Sequence, residues 1–337
     1  MAERSAITQS CQIGLETVPG TLVACPKRLG SMGISPGPAI DSTKLRPTGT
    51  KYPVAQILGK EWTEADLDGS AVYTELPYAW ASVLSAPTVS AITDAGDPTG
   101  ATRWLFTSNT YGDDAPKTFT VEQGSAFRAH RFGNGIITEY SWEWSRGEIE
   151  LGGSMLGKAI EDGVTLTASP TMLPQVPVRP ADLSVYMDGS SGALGTTKLL
   201  RTLKGEFTVG DRYNPLWVVD AAQTSFVSTV EGEPTVEFKM TQMADAAGMA
   251  SLVAMRNGTT KFLRLQGTGP NIYTGSGGSP LIVNHQCTID MAGQVSDVSP
   301  FDEEDGVFAL EWTFTAVHDP TWAKALQVEV ITTTSAL

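Results

Sequence analysis

The chain has 337 residues, a length that suits two domains of ordinary size better than one. Its 37 acidic and 23 basic residues give a formal net charge of −14, which disfavours a sequence-independent nucleic-acid binder because neutralising phosphate needs a basic surplus. Hydrophobic residues make up 41% of the chain, enough for a proper core, so global disorder is excluded.

The first residues contain no apolar run, and no window holds 18 consecutive apolar residues. We therefore expect neither a secretory signal nor a membrane span. The three cysteines are Cys11, Cys25 and Cys287, and no CxxC motif occurs. This odd count favours reduced cytosolic thiols over a disulfide framework or a zinc site.

The segment from residue 1 to about 60 is broken repeatedly by glycine and proline, and no helical or strand period persists in it. Such a pattern predicts an extended arm with one or two short strands. Because this arm could bury little surface alone, we expect it to stay mobile or to become ordered against a partner chain.

Beyond residue 60 the sequence is rich in β-branched and aromatic residues, and several stretches alternate between apolar and polar. Asn134-Gly135 and Asn257-Gly258 are turn signals between such stretches. The predicted strands are 103–107, 117–122, 136–145, 147–151, 163–167, 197–209, 215–219, 225–230, 234–240, 260–265, 281–290 and 307–317.

Two stretches predict helices, 74–84 and about 241–256. In the first, Thr74 can cap an acidic first turn that also contains Pro77, where a missing N–H costs little. Its apolar residues recur at helical spacing and predict one buried face. They are Leu76, Ala79, Trp80, Val83 and Leu84.

The two predicted helices have similar neighbours along the chain. In each half a strand leads into the helix, and a second strand, a glycine-bearing loop and a long strand follow it. This order indicates two copies of one small β-sandwich or open barrel with a single helix. Two unrelated β-rich halves would look alike in the same way, so both interpretations stay open.

The sequence contains no motif that carries enzyme chemistry: no HExxH, GxSxG, GxGxxG or GxxxxGK[ST]. The acidic cluster 302–306 lacks the alternating oxygen spacing of a calcium loop and favours a solvated hairpin. Paired strand carboxylates could serve glycoside hydrolysis. In the strand 136–145, however, Glu139, Ser141 and Glu143 alternate with aromatic residues, which is typical of a polar strand face opposite a buried one.

Several segments, taken in order, resemble one family and together cover about residues 10 to 320. They are 12–21 (QIGLETVPGT) with the Gly/Pro-rich arm that follows it, 155–158 (MLGK), 186–189 (YMDG), 213–217 (YNPLW) and 317–320 (VHDP). In these segments the chain is similar to the major tail tube proteins of phages with long, non-contractile tails. The stretch 86–116 is an insertion relative to that pattern.

The resemblance implies a structural virion protein without catalytic, metal or cofactor sites. Its fold would be mainly β, with tandem β-sandwich or open-barrel units that each carry one short helix. Subunits would form rings whose strands join into a shared inner barrel, and the rings would stack into a hollow tube for double-stranded DNA. The partners would be other copies, a tape-measure protein in the lumen, and tail-tip and terminator proteins, with assembly in the host cytoplasm and no membrane.

We therefore expect an arm at 1–60, a first unit at 61–175 and a second unit at 176–337. A barrel wide enough for a duplex needs roughly two dozen strands. Three two-unit chains with pseudo-sixfold symmetry would supply them, as would six chains with one tube unit each. The candidate lumen-facing residues are Glu139, Glu143, Glu148 and Glu150. The candidate inter-subunit residues of the arm are Gln12, Gly14, Glu16, Pro19 and Thr21.

Two other functions remain open. A tail terminator or a capsid decoration protein would share the acidic, β-rich composition. A β-sandwich enzyme or binding module for carbohydrate could use Trp142 and Trp144 to stack on sugars, although tryptophan in a sandwich more often lies in the core.

Overall fold

The computed structural model describes residues 9–244, 249–276, 280–304 and 306–337. The protein is mainly β, as the sequence predicted, with 57% of its residues in strands and 6% in helices. Each strand predicted from the sequence overlaps a strand of the structure.

The first half of the chain is organised around one strand of 17 residues, β8. Strand β8 pairs with β9, β9 with β4, and β4 with β3, while β7, β10 and β1 lie around its N-terminal part, and all these pairs are antiparallel. The elements are β1 (Ser10–Leu15), β2 (Lys27–Leu29), β3 (Met32–Leu45), β4 (Ala55–Ser70), α1 (Leu76–Val83), β5 (Thr88–Asp94), β6 (Asp97–Thr107), β7 (Phe119–Ser125), β8 (Arg128–Trp144), β9 (Ile149–Gly157), β10 (Glu161–Val164) and β11 (Thr171–Met172).

The second half is organised around another strand of 17 residues, β18. Strand β18 pairs with β20, β20 with β16, and β16 with β13, while β17, β21 and β12 lie around its N-terminal part. The elements are β12 (Leu183–Asp188), β13 (Thr202–Gly210), β14 (Tyr213–Leu216), β15 (Ser228–Glu231), β16 (Thr235–Met243), α2 (Ala250–Arg256), β17 (Lys261–Thr274), β18 (Ile282–Val298), β19 (Asp302–Glu304), β20 (Val307–Ala316) and β21 (Leu326–Thr332).

The two halves follow one pairing scheme. The series β3–β4–β9–β8 corresponds to β13–β16–β20–β18, and β1, β7 and β10 surround β8 as β12, β17 and β21 surround β18. Helix α1 lies between β4 and β7 in the chain, as α2 lies between β16 and β17. Both long strands bulge at the same point of the scheme, at 137–139 and at 295–297.

The two series join into one antiparallel sheet because the C-terminal part of β8 pairs with β13. In this junction Trp142 lies opposite Phe207. The resulting order is β3–β4–β9–β8–β13–β16–β20–β18, which we call the eight-stranded sheet. Among the described residues this sheet is open and does not close into a barrel.

One face of the eight-stranded sheet forms the core, and α1 packs against it. The Trp80 ring lies 5.1 Å from that of Tyr140, 6.4 Å from that of Trp142 and 6.1 Å from that of Phe207. The predicted helix is confirmed, but it is buried on all sides rather than on one face. The predicted cap is wrong: the Thr74 hydroxyl donates to the Pro174 carbonyl instead.

The N-terminal segment differs from the predicted arm, because much of it belongs to the folded body. Strand β1 pairs with β2 and β7, and β3 pairs with β4 along its whole length. Ile13, Leu29, Met32 and Ile34 are buried in the core. The glycine and proline breaks hid these strands, whose stability comes from partners distant in the chain.

The second predicted helix is shorter than expected. Residues 241–243 continue strand β16, α2 spans Ala250–Arg256, and 245–248 lie outside the described residues. The Asn257-Gly258 turn is confirmed at the end of α2, where Gly258 has a φ of 58°. The turn predicted at Asn134-Gly135 is wrong, because Asn134 takes a positive φ of 53° within the continuous strand β8.

The stretch 86–116, which we expected to be an insertion, contacts both halves of the chain. Its hairpin β5–β6 adds to β21 of the second half. Beyond the hairpin, the buried carboxylate of Asp114 lies 2.6 Å from the buried guanidinium of Arg212, which also donates to the carbonyl of Val83 in α1 and to Glu231. The two carboxylates and the carbonyl offset the cost of burying the arginine charge.

Candidate functional site

The face of the eight-stranded sheet opposite the core is polar. On β8 the side chains of Glu139, Ser141 and Glu143 point to this face, and Glu139 and Glu143 are exposed. The alternate residues Tyr140, Trp142 and Trp144 are buried in the core. The interpretation of this strand as polar on one side and aromatic on the other is confirmed.

Like charges lie directly opposite one another across this face. Glu143 faces Glu150 on one neighbouring strand and Glu206 on the other. Lys239 then faces Glu206, with its Nζ 3.2 Å from the Glu206 carboxylate and 3.6 Å from that of Glu237. Burial acts to lower the pKa of Lys239, but the hydrogen bond to Glu206 and the two negative charges outweigh it and raise that pKa.

We call this surface the acidic face. Its lysines are Lys204 and Lys239, and Lys204 is paired with Glu304 at 2.8 Å. Its carboxylates are those of Glu64, Asp66, Asp68, Glu139, Glu143, Glu150, Glu206, Glu237, Asp297 and Glu311. These carboxylates lie on three strands of the first series, β4, β8 and β9, and on all four strands of the second.

Of the four candidate lumen residues, Glu139, Glu143 and Glu150 lie on the acidic face. Glu148 lies in the turn between β8 and β9 and borders the same depression as Glu143 and Glu150. The sequence analysis missed the acidic residues of β4 and of the second series. The strict alternation of Ala65-Asp66-Leu67-Asp68 was the signal that could have identified those of β4.

The candidate inter-subunit residues of the arm divide into two groups. Gln12, Gly14 and Glu16 are buried within their own chain, whereas Pro19 and Thr21 are exposed. The Glu16 carboxylate accepts hydrogen bonds of 2.7–3.0 Å from the N–H groups of Gly20 and Asn134 and from the hydroxyls of Thr118 and Thr120. Through these hydrogen bonds Glu16 holds the end of β1 against β7 and β8.

The described residues contain no group of three or more histidine, cysteine or acidic side chains placed to hold a metal ion. His285 is buried, and desolvation lowers its pKa. Trp142 and Trp144 are only 1% and 6% exposed, so neither presents a ring to solvent for stacking on a sugar. The acidic face is therefore the surface whose chemistry remains to be explained.

Neither helix in the described part of the chain is long and apolar enough to cross a membrane. Comparison of the sequence with models of protein families gives no match, and comparison with curated proteins gives no significant relative.

Proposed function

We propose that this protein is a structural virion subunit whose rings stack into a hollow phage tail tube through which double-stranded DNA passes. The observation that carries the proposal is the eight-stranded sheet itself. One face is core, and the other carries exposed carboxylates, although Ile136 and Leu156 on that face are covered by Tyr213 and Phe226. The described strands leave the outer edge of β3 and the far edge of the C-terminal part of β18 without partners. Open sheet edges promote aggregation unless they are protected, for example by proline, or pair with another chain, so they are natural sites for contact between copies.

The number of strands suits closure around a duplex. A duplex about 20 Å wide with lining side chains needs a barrel about 35–40 Å across, which takes roughly two dozen strands at the usual spacing. Three copies of the eight-stranded sheet supply 24. The matching pairing schemes support two tandem tube units per chain, and hence a trimeric ring with pseudo-sixfold symmetry rather than a hexamer.

The acidic face suits the wall of a DNA passage. Carboxylates that line the lumen repel phosphate, so a duplex moves through without being retained. The cross-strand pairs Glu143–Glu150 and Glu143–Glu206 bring no stability to the subunit, because like charges directly opposite each other are destabilising. If this face lines the lumen, the same carboxylates repel the DNA phosphates, which explains why the repulsion is retained.

The same proposal includes the other partners implied by the resemblance: a tape-measure protein in the lumen during assembly, and terminator and tail-tip proteins at the two ends. A terminator or decoration protein would not need a sheet that supplies a third of a closed barrel. The burial of Trp142 and Trp144 removes the feature that favoured a carbohydrate-binding module.

Assembly tests the class of protein. We expect the purified protein to form hollow rings or tubes in negative-stain electron microscopy, with the assembled fraction in sedimentation velocity rising with concentration. A protein that remains a dispersed monomer at all concentrations and salts, with or without a preformed ring or tube end as initiator, would contradict the proposal.

DNA retention tests the role of the acidic face. Tubes of wild-type protein should not bind a fluorescent duplex at low salt, whereas tubes of the Glu139→Lys/Glu143→Lys variant should bind it and release it as salt rises. A matched control reverses Asp97 and Asp113 in the insertion, away from the acidic face, and should behave as wild type. Equal binding by both variants would indicate that the acidic face does not line the passage.

A further inference from the structure

The junction between β8 and β13 shows how one four-strand series joins the next. Tyr140 faces Val209, Ser141 faces Thr208 and Trp142 faces Phe207 in an antiparallel ladder. This contact connects the last strand of the first series to the first strand of the second. A second contact of the same kind would connect β18, the last strand of the second series, to β3, the first strand of another copy.

The long strands β8 and β18 can be aligned residue by residue through their bulges. Thr138 within the bulge of β8 donates its hydroxyl to the carbonyl of Ser154 at 3.3 Å, and Ser296 within the bulge of β18 donates to that of Thr313 at 3.2 Å. Three residues beyond the bulge residue, Ser141 and Ser299 therefore correspond.

The strands β3 and β13 can be aligned through the strands next to them. Ala65 of β4 faces both Met155 and Pro36, as Phe238 of β16 faces both Phe314 and Phe207. Met155 faces Ile137, the residue before the bulge of β8, and Phe314 faces Val295, the residue before the bulge of β18. Pro36 therefore corresponds to Phe207. The next residue, Gly37, corresponds to Thr208.

We propose that the β3 edge of one copy pairs antiparallel with the free edge of β18 in the next, with Gly37 opposite Ser299, and that three such contacts close the ring. This interface rests on the proposed function and assigns the edges and the register that form it. The occupant of each edge is a second copy of this chain, because the chain already contains the same contact internally between β8 and β13.

The two contacts differ in the hydrogen bonds that they can form. The Ser145 N–H donates to the backbone carbonyl of Glu148 in the turn to β9. Because the N–H groups of successive strand residues point to opposite edges, those of Trp142 and Tyr140 point towards β13. The N–H groups of their partners, Phe207 and Val209, point towards β8, so each of these two pairs can exchange two backbone hydrogen bonds.

At the closing contact, proline occupies the corresponding positions. Pro36 and Pro38 replace Phe207 and Val209, and Pro300 replaces Trp142. Proline donates no backbone hydrogen bond, so the ladder between copies keeps only the donor of Val298 over these residues. The closing contact is therefore the weak joint of the ring, and free subunits resist pairing by these edges in solution.

Disulfide trapping tests the register. Ser141 and Thr208 form a non-hydrogen-bonded pair, in which Cα atoms lie about 4.5 Å apart, a separation that a disulfide can span. A Cβ added at Gly37 would have the Glu64 carbonyl oxygen at 3.7 Å as its nearest neighbour, so cysteine fits there. Oxidised rings of Gly37→Cys/Ser299→Cys should yield covalently closed trimers on a non-reducing gel, and Ser35→Cys/Ser299→Cys, two residues out of register, should not.

Three results separate the interface from the proposed function. Rings that form but yield no cross-link with Gly37→Cys/Ser299→Cys, or equal cross-linking by both variants, would overturn the interface and leave the proposed function standing. Failure of the wild-type protein to form rings under any condition would overturn both. If the prolines weaken the joint, Pro36→Val/Pro38→Val should assemble at a concentration at least tenfold lower than wild type, and an unchanged or higher concentration would contradict the weak-joint argument.

Discussion

The two faces of the eight-stranded sheet are made by the same strands and have opposite effects on stability. On the core face, Trp142, Phe207 and Phe238 are almost fully buried and pack ring against ring with their neighbours. On the acidic face, Glu143 lies between two other carboxylates, and the nearest lysine, Lys239, pairs with only one of them. The core face holds the subunit together, whereas the acidic face retains repulsion that folding alone would not require.

The largest expected effect comes from the core face. Replacing Trp142 by alanine removes a ring that packs on Trp80 and leaves a cavity, so the free energy of unfolding should fall by about 3–5 kcal/mol. Glu143→Ala, the next residue on the opposite face, should change it by no more than about 1 kcal/mol. Urea unfolding of both variants checks the comparison, and a similar loss for both would refute the division of the faces.

A smaller difference in stability should distinguish the two faces when alanine replaces two glycines of β13, Gly205 and Gly210. A Cβ at Gly205 on the core face would lie 2.4 Å from the Trp144 ring and 2.6 Å from the Lys239 carbonyl oxygen. Gly205→Ala should therefore cost about 1–3 kcal/mol through overpacking. At Gly210 the nearest atom is the Glu139 Cγ at 3.8 Å, so Gly210→Ala should be tolerated. Thermal melts that rank the two variants in the opposite order would contradict the assignment of the faces.

The smallest effect has the opposite sign. Glu143→Gln removes a charge that faces Glu150 and Glu206, so it should raise the free energy of unfolding by about 0.2–1 kcal/mol at low salt. The gain should shrink as salt screens the wild-type repulsion. Denaturant titrations at low and high salt measure this, and a destabilised variant would mean that the carboxylates support the fold.

The sequence predicted the two faces of single strands better than it predicted how strands meet. Alternation identified the polar and aromatic sides of β8 and the positions of most strands, because side-chain direction is a local property. The junction of Trp142 with Phe207 joins residues far apart in the chain, and no local pattern records that register.

Local signals failed where distant contacts decide the structure. The glycine and proline breaks of the first 60 residues suggested an arm, yet β1 pairs with β7, and Glu16 is fixed by four hydrogen bonds. The alanine- and methionine-rich stretch 241–256 suggested a single helix, but its first residues pair with β20 in the sheet. Asn134-Gly135 suggested a turn between strands, but Asn134 takes its positive φ within the continuous strand β8.

The most direct test of the central claim is a three-dimensional electron cryomicroscopy reconstruction of the assembled protein, calculated without imposed symmetry. The account predicts three copies and six similar lobes around one closed inner barrel, with Glu143 and Glu206 facing the lumen. A barrel of six copies would contradict the tandem arrangement. A lumen lined by any other surface, with the acidic face turned outwards, would contradict the proposed function of that face.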